Sequence, residues 1–236
     1  MKREIVITGD GSSTIHLPEW NEQYHSKHGA IQEANHVFIK HGLYYFCEKF
    51  NRNCHSEQSE ESKNTFSILE IGFGTGLNAF ISLLESKKLN IEIDYCGVEG
   101  YPVSMDEINQ LNYTKELKSE QRESLFHKLH NVTWELKHEI TSNFLIEKQQ
   151  KLFHEIDDIN QYNIIYFDAF GARVQPELWT ETIFQKMHDA LKINGILVTY
   201  AAKGSVRRAM QSVGFTVERL PGPPGKREML RACKEV

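Results

Sequence analysis

Three carboxylates and three glycines mark where this chain could do chemistry. Glu70 closes the short apolar run 66–71, Glu99 closes Cys96-Gly-Val-Glu, and Asp168 follows Asn163-Ile-Ile-Tyr-Phe167. Directly after Glu70 comes Ile71-Gly-Phe-Gly-Thr-Gly-Leu-Asn78, which places Gly72, Gly74 and Gly76 in G-x-G-x-G spacing. Glycine has no Cβ and tolerates positive φ, so a strand–turn–helix built on it can approach a ligand closely. A dinucleotide site needs G-x-G-x-x-G to bring a pyrophosphate onto the helix end. The spacing here points instead to a nucleotide cofactor with no diphosphate to cradle. Glu70 serves either the backbone amides of the loop or an ammonium on the ligand. Glu99 lies 23 residues beyond Gly76, where an acid accepts hydrogen bonds from two ribose hydroxyls. Asp168 follows a strongly apolar strand, and a desolvated carboxylate costs free energy unless it is paired. A place at the mouth of a site, or at a helix N-cap, accounts for it.

The glycine block, with its acid two residues ahead of Gly72, resembles motif I of the class I S-adenosylmethionine (SAM) methyltransferases. That resemblance implies SAM as cofactor, held by Glu70, Gly72, Phe73, Gly74, Gly76 and Asn78, with Glu99 on the ribose. Methyl transfer from a sulfonium is an in-line displacement in which positioning dominates. An amine acceptor is mostly ammonium at neutral pH and must lose a proton before it attacks. A carboxylate such as Asp168 can orient it, stabilise the developing charge and take that proton. Phe170 and Trp179 offer aromatic faces for a base or a cation, with core packing as the alternative for each. A carbon acceptor would more often call for a cysteine nucleophile; Cys96, three residues before Glu99, reads as buried.

The elements that must position these groups follow from patterning. Residues 5–7 and 14–16 around Gly9-Asp-Gly11 read as a β-hairpin, 18–26 as an aromatic-rich loop, and 33–50 as an amphipathic helix with Val37, Leu43, Tyr44 and Phe46 inward. The polar stretch 51–64 reads as an exposed loop. Strands are expected at 67–71, 91–98, 132–136, 163–167, 195–200, 215–220 and 228–233. Helices are expected at 77–87, after Pro102, and at 141–152, 177–191 and 205–213, with a C-cap at Lys192-Ile-Asn-Gly195. Alternation of β and α implies an α/β fold: a Rossmann-like, mostly parallel sheet covered by helices on both faces. The strand count suits the seven-stranded class I methyltransferase sheet, with its last strand pair returning antiparallel. Residues 1–65 form an N-terminal hairpin and helix extension, and 66–236 the methyltransferase domain.

Composition narrows the class. Among 236 residues, 40% are apolar, which supports a substantial core. No run approaches the roughly 18 apolar residues of a membrane span, and Met1-Lys-Arg-Glu lacks the apolar stretch of a signal peptide. A cytoplasmic location is expected. Cys47, Cys54, Cys96 and Cys233 show no C-x-x-C pairing and read as reduced thiols. His25-Ser-Lys-His28 and Cys54-His55 lack partners at ligand spacing, so no metal is expected. The net charge of −5 argues against a generic nucleic-acid binder, yet it is uneven: residues 203–236 carry +5 and residues 1–202 carry −10. One face could meet phosphates.

Four blocks are similar to one family in particular: Leu69 to Asn78; Glu99-Gly-Tyr-Pro102; Asp168-Ala-Phe170 with Pro176-Glu-Leu-Trp179; and Val206-Arg-Arg208 through Gly214-Phe215 to Gly225-Lys-Arg-Glu-Met229. They resemble the methyltransferase half of the bacterial enzyme that makes 5-methylaminomethyl-2-thiouridine at the tRNA wobble position. The resemblance runs from about Thr14 to Cys233. It implies Asp168 acting on an aminomethyl nitrogen, the tRNA anticodon region as partner, and no flavin domain in this chain. Arg207, Arg208, Lys226 and Arg227 would contact the tRNA. The chain departs from the family at Ala172 and Val174, where proline and lysine are usual. It also lacks the Gly-Asp pair near the adenine, for which His138-Glu139 stands in. Other readings are a small-molecule amine methyltransferase or aminopropyltransferase on the same fold, and a SAM- or RNA-binding module without catalysis.

Overall fold

The computed structural model describes residues 2–53 and 64–235. Strand β1 (Glu4–Ile7) pairs antiparallel with β2 (Ser13–Leu17), as the hairpin pattern predicts, with Ile7 opposite Ser13. Gly11 turns at φ +87°. The aromatic-rich segment expected as pure loop contributes a short third strand, β3 (Glu22–Gln23), on the other side of β2.

The expected helix at 33–50 is longer. It runs continuously over 30–53 as α1 (Ala30–Ala34), a π-wound middle (Asn35–Tyr44) and α2 (Tyr45–Asn53). Val37, Leu43 and Phe46 are buried, but Tyr44 is 36% exposed and donates to Glu85 Oε2 at 2.6 Å. The wider winding, with bonds to i−5, shifts angular positions, so a 3.6-residue period misplaces Tyr44. Of the polar stretch 51–64, residues 51–53 close this helix, and the loop expected at 54–63 lies outside the described residues.

The remaining elements build one mixed sheet. In chain order they are β4 (Thr65–Ile71), α3 (Leu77–Lys88), β5 (Glu92–Val98), α4 (Met105–Ile108), α5 (Tyr113–Glu116), α6 (Glu123–Asn131), β6 (Lys137–Thr141), β7 (Phe144–Gln149) and β8 (Tyr162–Phe167). Then follow α7 (Glu181–Ala190), β9 (Leu191–Thr199), α8 (Gly204–Ser212), β10 (Phe215–Pro221) and β11 (Glu228–Lys234). The sheet order is β10-β11-β9-β8-β4-β5-β7-β6. Strands β7, β5, β4, β8 and β9 are mutually parallel, and β11 is antiparallel to both β9 and β10. This is the Rossmann-like class I methyltransferase fold with a mixed sheet, and it carries eight strands rather than the expected seven.

The extra strand arises where the sequence reading fails. Residues 132–136 are not a strand, and 141–152 are not a helix; β6 and β7 form an antiparallel hairpin there. Phe144, Ile146 and Lys148 are buried while Leu145, Glu147 and Gln149 are more open, a period of two. The C-cap expected at 192–195 is likewise replaced: the helix ends at Ala190, and Leu191 opens β9 directly.

Both sheet faces are covered. Ile68 and Tyr166 face a core with Phe38 and Phe80, from the 30–53 helix and α3. Leu69, Ile165 and Phe167 face a second core with Phe184 and Met210, from α7 and α8. Burial on both faces explains the near-continuous apolar runs of β4 and β8. Among the described residues, no helix is long and apolar enough to cross a membrane.

The period-two reading of 144–149 makes a direct prediction. Phe144→Ala removes a ring at 1% exposure and should cost about 3–5 kcal/mol in urea denaturation. Leu145→Ala, at 36% exposure on the other face, should cost less than about 1.5 kcal/mol. Equal losses at the two positions would contradict this register.

Candidate active site

The carboxyl ends of β4, β5, β7 and β8 open on one cleft of about 810 Å³, roofed by the N-terminal sheet. Its floor is the glycine turn. Gly72, Gly74 and Gly76 all take positive φ (+89°, +50° and +68°), which L side chains rarely adopt. A Cβ on Gly72 would meet the Asp168 carbonyl oxygen at 2.9 Å, and one on Gly74 would meet the Tyr24 ring at 3.0 Å. The turn is fixed by the amides of Gly72 and Phe73, both donating to the Val98 carbonyl at 3.0 Å.

Two acids converge behind the turn. Glu70 is buried and accepts from Tyr95 Oη at 2.8 Å and from Asn78 Nδ2 at 2.9 Å. The same Asn78 Nδ2 donates to Asp168 Oδ2 at 2.9 Å. Asn78 is 1% exposed, and its Oδ1 has no protein partner. Burial drives the Glu70 carboxyl well above the usual range, against the pull of its two donors. Asp168 keeps one side open to the cleft; burial, then the negative Glu33, raises its pKa to about 7, while Asn78 and Lys226 pull it back.

Glu99 holds the front of the loop. Its Oε2 accepts from the Gly74 amide at 3.0 Å and its Oε1 from the Tyr101 amide at 2.9 Å. Each carboxylate oxygen retains acceptor capacity for a second donor. Opposite, Phe170 meets Trp20 and Tyr24 edge to face at 5.6 and 5.0 Å. The backbone that presents Phe170 is pinned by Tyr200 Oη on the Ala169 carbonyl and Trp179 Nε1 on the Phe170 carbonyl, both at 2.8 Å. His25, at the rear, is held neutral: burial lowers it to about 4.

The residue set fits a SAM-type ligand. The positive-φ glycines bring the turn against the Asp168 carbonyl and the Tyr24 ring, closer than any Cβ allows. Glu99 offers paired acceptors for a diol, and the carboxyls of Glu70 and Asp168 favour a cationic guest.

Most expected site residues gather here: Glu70, Gly72, Phe73, Gly74, Asn78, Glu99, Asp168 and Phe170 line the cleft, and Gly76 caps α3 beneath it. Others do not. Glu139 is exposed on edge strand β6, opposite Leu145, because 137–141 turns outward in the hairpin. Trp179 is 6% exposed and packs on Phe167 at 5.0 Å, so it supports the wall from behind. Arg207, Arg208, Lys226 and Arg227 all lie outside the cleft lining. Lys226 pairs with buried Glu33, and its Nζ sits 3.7 Å from the Tyr200 ring centroid. The cleft also takes residues the sequence reading passed over. Leu152, Phe153 and His154 follow β7, and reading 144–149 as a strand would have placed its carboxyl end here. Arg3 comes from the N-terminal sheet, where no local signal marks it, and Trp20 and Tyr24 from the aromatic-rich segment 18–26.

Comparison with known proteins bears on this geometry. A family model described as S-adenosyl-L-methionine-dependent methyltransferase matches residues 112–235. The tRNA 5-methylaminomethyl-2-thiouridine biosynthesis bifunctional protein MnmC of Hydrogenovibrio crunogenus is 26% identical over 241 residues, covering 97% of this chain and 33% of that protein. The protein of that name from Leptospira interrogans is 28% identical over 234 residues, covering 95% and 34%. The chain thus spans about a third of the length of these curated relatives. The crystal structure of MNMC2 from Aquifex aeolicus superposes with a TM-score of 0.75 over 100% of this chain and 71% of that one, at 20% identity.

The raised carboxyls fix a pH dependence of stability. A carboxyl whose folded pKa lies above its unfolded value stabilises the fold while protonated. For Asp168 that contribution is complete below 3.8 and is lost as pH rises through about 7. Glu70 acts in the same direction. Asp168→Asn should therefore flatten the fall in melting temperature of the ligand-free protein across that window. An unchanged slope would mean that Asp168 is not a buried titrating group.

Proposed function

The chain belongs to the S-adenosyl-L-methionine-dependent methyltransferase family, and from that premise we propose that it methylates the aminomethyl nitrogen of 5-aminomethyl-2-thiouridine at the tRNA wobble position, giving 5-methylaminomethyl-2-thiouridine. Its cofactor is SAM, and it is homologous at family level to the MnmC proteins. The observation that carries the finer reading is the placing of Asp168, an acid tuned to about 7, beside an aromatic wall of Phe170, Tyr24 and Trp20. A planar ring bearing an amine matches both features: a face to stack and a nitrogen to deprotonate.

When bound, the cofactor supplies an electrophilic methyl group on a sulfonium. Glu99 receives the ribose hydroxyls on the acceptor sites left by the Gly74 and Tyr101 amides. Positive charge nearby lowers the Asp168 pKa, so its carboxylate enters the reaction ionised. Asn78 fixes Asp168 Oδ2, which leaves Oδ1 for the acceptor. Asp168 takes one proton from the acceptor ammonium and so frees the nitrogen lone pair for in-line attack. Once Asp168 has passed that proton to solvent through the open side of the cleft, its carboxylate offsets the charge of the alkylated ammonium.

Residues 66–236 would form the catalytic domain and 1–65 an extension that completes the cleft. The tRNA anticodon region would lie across the mouth, with Arg207, Arg208 and Arg227 on phosphates; Lys226 is engaged by Glu33. A tRNA substrate places the protein in the cytoplasm.

The test is methyl transfer from labelled SAM to tRNA carrying the 5-aminomethyl-2-thiouridine, read by nucleoside mass spectrometry. Asp168→Asn should lower kcat by roughly 10²–10⁴ while still binding SAM. Transfer at the wild-type rate by this variant, or a methyl group on another nucleoside, would sink the reading. For the surface, neutralising Arg207, Arg208 and Arg227 together should reduce the salt slope of tRNA binding by about 2–3. An unaltered slope rejects that patch.

A further inference from the structure

The N-terminal sheet touches the cleft through two arginines that reach across its mouth in opposite directions. Arg3, just ahead of β1, reaches down to the segment that follows Glu99. Its Nη2 donates to the Tyr101 carbonyl at 2.7 Å, and its Nη1 to the Pro102 carbonyl and Glu107 Oε2, each at 3.2 Å. Tyr101 is the residue whose amide holds Glu99 Oε1, and Glu107 also accepts from the amide and hydroxyl of Ser104 at 2.8 Å. One guanidinium therefore fixes both ends of the loop 101–107. The side chains of the pair are only 19% and 22% exposed, so solvent screens them little.

Arg173 reaches up from the loop after Asp168. Its Nη2 donates to the Trp20 and Asn21 carbonyls at 3.1 Å and to Glu22 Oε2 at 2.9 Å. Those acceptors belong to the tight turn between β2 and β3, where Asn21 takes φ +47°. The turn sets Trp20 edge-on to Phe170. Arg173 lies between Ala172 and Val174, two of the places where the chain departs from the family it resembles.

We propose that β1–β3 form a roof held by two arginine straps with separate tasks: Arg3 positions Glu99 for the cofactor ribose, and Arg173 positions Trp20 for the acceptor ring. The acceptor half rests on the function proposed above; the cofactor half rests on SAM alone. Both are positioning residues, acting through Glu99 and Trp20. At position 3 a lysine is a poor replacement, because one ammonium does not span acceptors shared between Nη1 and Nη2 of a planar fork; at 173 all three bonds leave Nη2, and a lysine loses reach and planarity instead.

The experiment measures two constants on four variants of the full chain: the Kd for SAM by calorimetry, and the KM for hypomodified tRNA at saturating SAM. The Arg3 guanidinium also lies 5.8 Å from the Tyr24 ring centroid, so Arg3→Ala should raise the SAM Kd about tenfold and the tRNA KM by no more than about threefold. Arg173→Ala should do the reverse. Arg3→Lys and Arg173→Lys should show the same partition at smaller size, and they keep the test readable if an alanine variant fails to fold. Equal shifts of both constants in either variant, or of neither, overturn the proposal. Wild-type protein that binds SAM but methylates no tRNA defeats the proposed substrate instead, and the Arg3 result on SAM then stands by itself.

Discussion

A single side-chain amide, that of Asn78, stands between two carboxylates whose like charges would otherwise repel. Its Nδ2 donates to Glu70 and to Asp168, each at 2.9 Å, from the first turn of α3. Glu70 ends β4 and Asp168 follows β8, its parallel neighbour. The amide thus ties two strand ends and a helix start at one point. Without it both acids would lose a donor in a region poor in water, where an unpaired polar group costs on the order of 1–3 kcal/mol or more. Tyr95 gives Glu70 a second donor from β5, which brings the third parallel strand into the same junction.

The glycine turn follows from that junction. The chain must leave Glu70, cross over the end of β8 and return Asn78 to the place it left, all within eight residues. Only a backbone with positive φ at three positions makes that return, and only glycine at 72 lets it pass against the Asp168 carbonyl. Glu99 then braces the outside of the turn through the Gly74 amide. On the far side, buried Glu33 and half-buried Lys226 pair and join the long N-terminal helix to the β10–β11 turn. Its two charges act on Asp168 in opposite senses.

What the sequence disclosed divides along physical lines. The turn at 70–78, the acid ending β5 and the acid following β8 were legible because local chemistry dictates them: apolar run, glycine spacing, isolated carboxylate. The β6–β7 hairpin was not. Phe144-Leu-Ile-Glu-Lys-Gln149 fills too few residues to separate a period of two from 3.6, and buried Lys148 hides the alternation by putting a charge on the inward face. That misreading also hid the residues after β7, Leu152, Phe153 and His154, which line the cleft where Glu139 does not. Trp179 and Lys226 were chosen by type; the structure gives the one to the core and the other to Glu33. Trp20 and Tyr24 stood out as aromatics of 18–26, but their place in the cleft, like that of Arg3, is set by tertiary folding of the first sheet, which no local pattern encodes.

The eighth strand bears on how this sheet meets other chains. An open sheet ends in rows of unpaired amides and carbonyls that can recruit a strand from a neighbour. Here β6 is that end, and it carries Lys137, His138 and Glu139 in succession, then breaks register between Glu139 and Thr141. At the opposite end β10 holds Glu218 and Arg219 and finishes in Pro221, which has no amide hydrogen to offer. Both margins are therefore poor templates for edge-to-edge growth. The parallel strands between them, among the most aggregation-prone sequences in the chain, are flanked on each side by strands that resist further pairing.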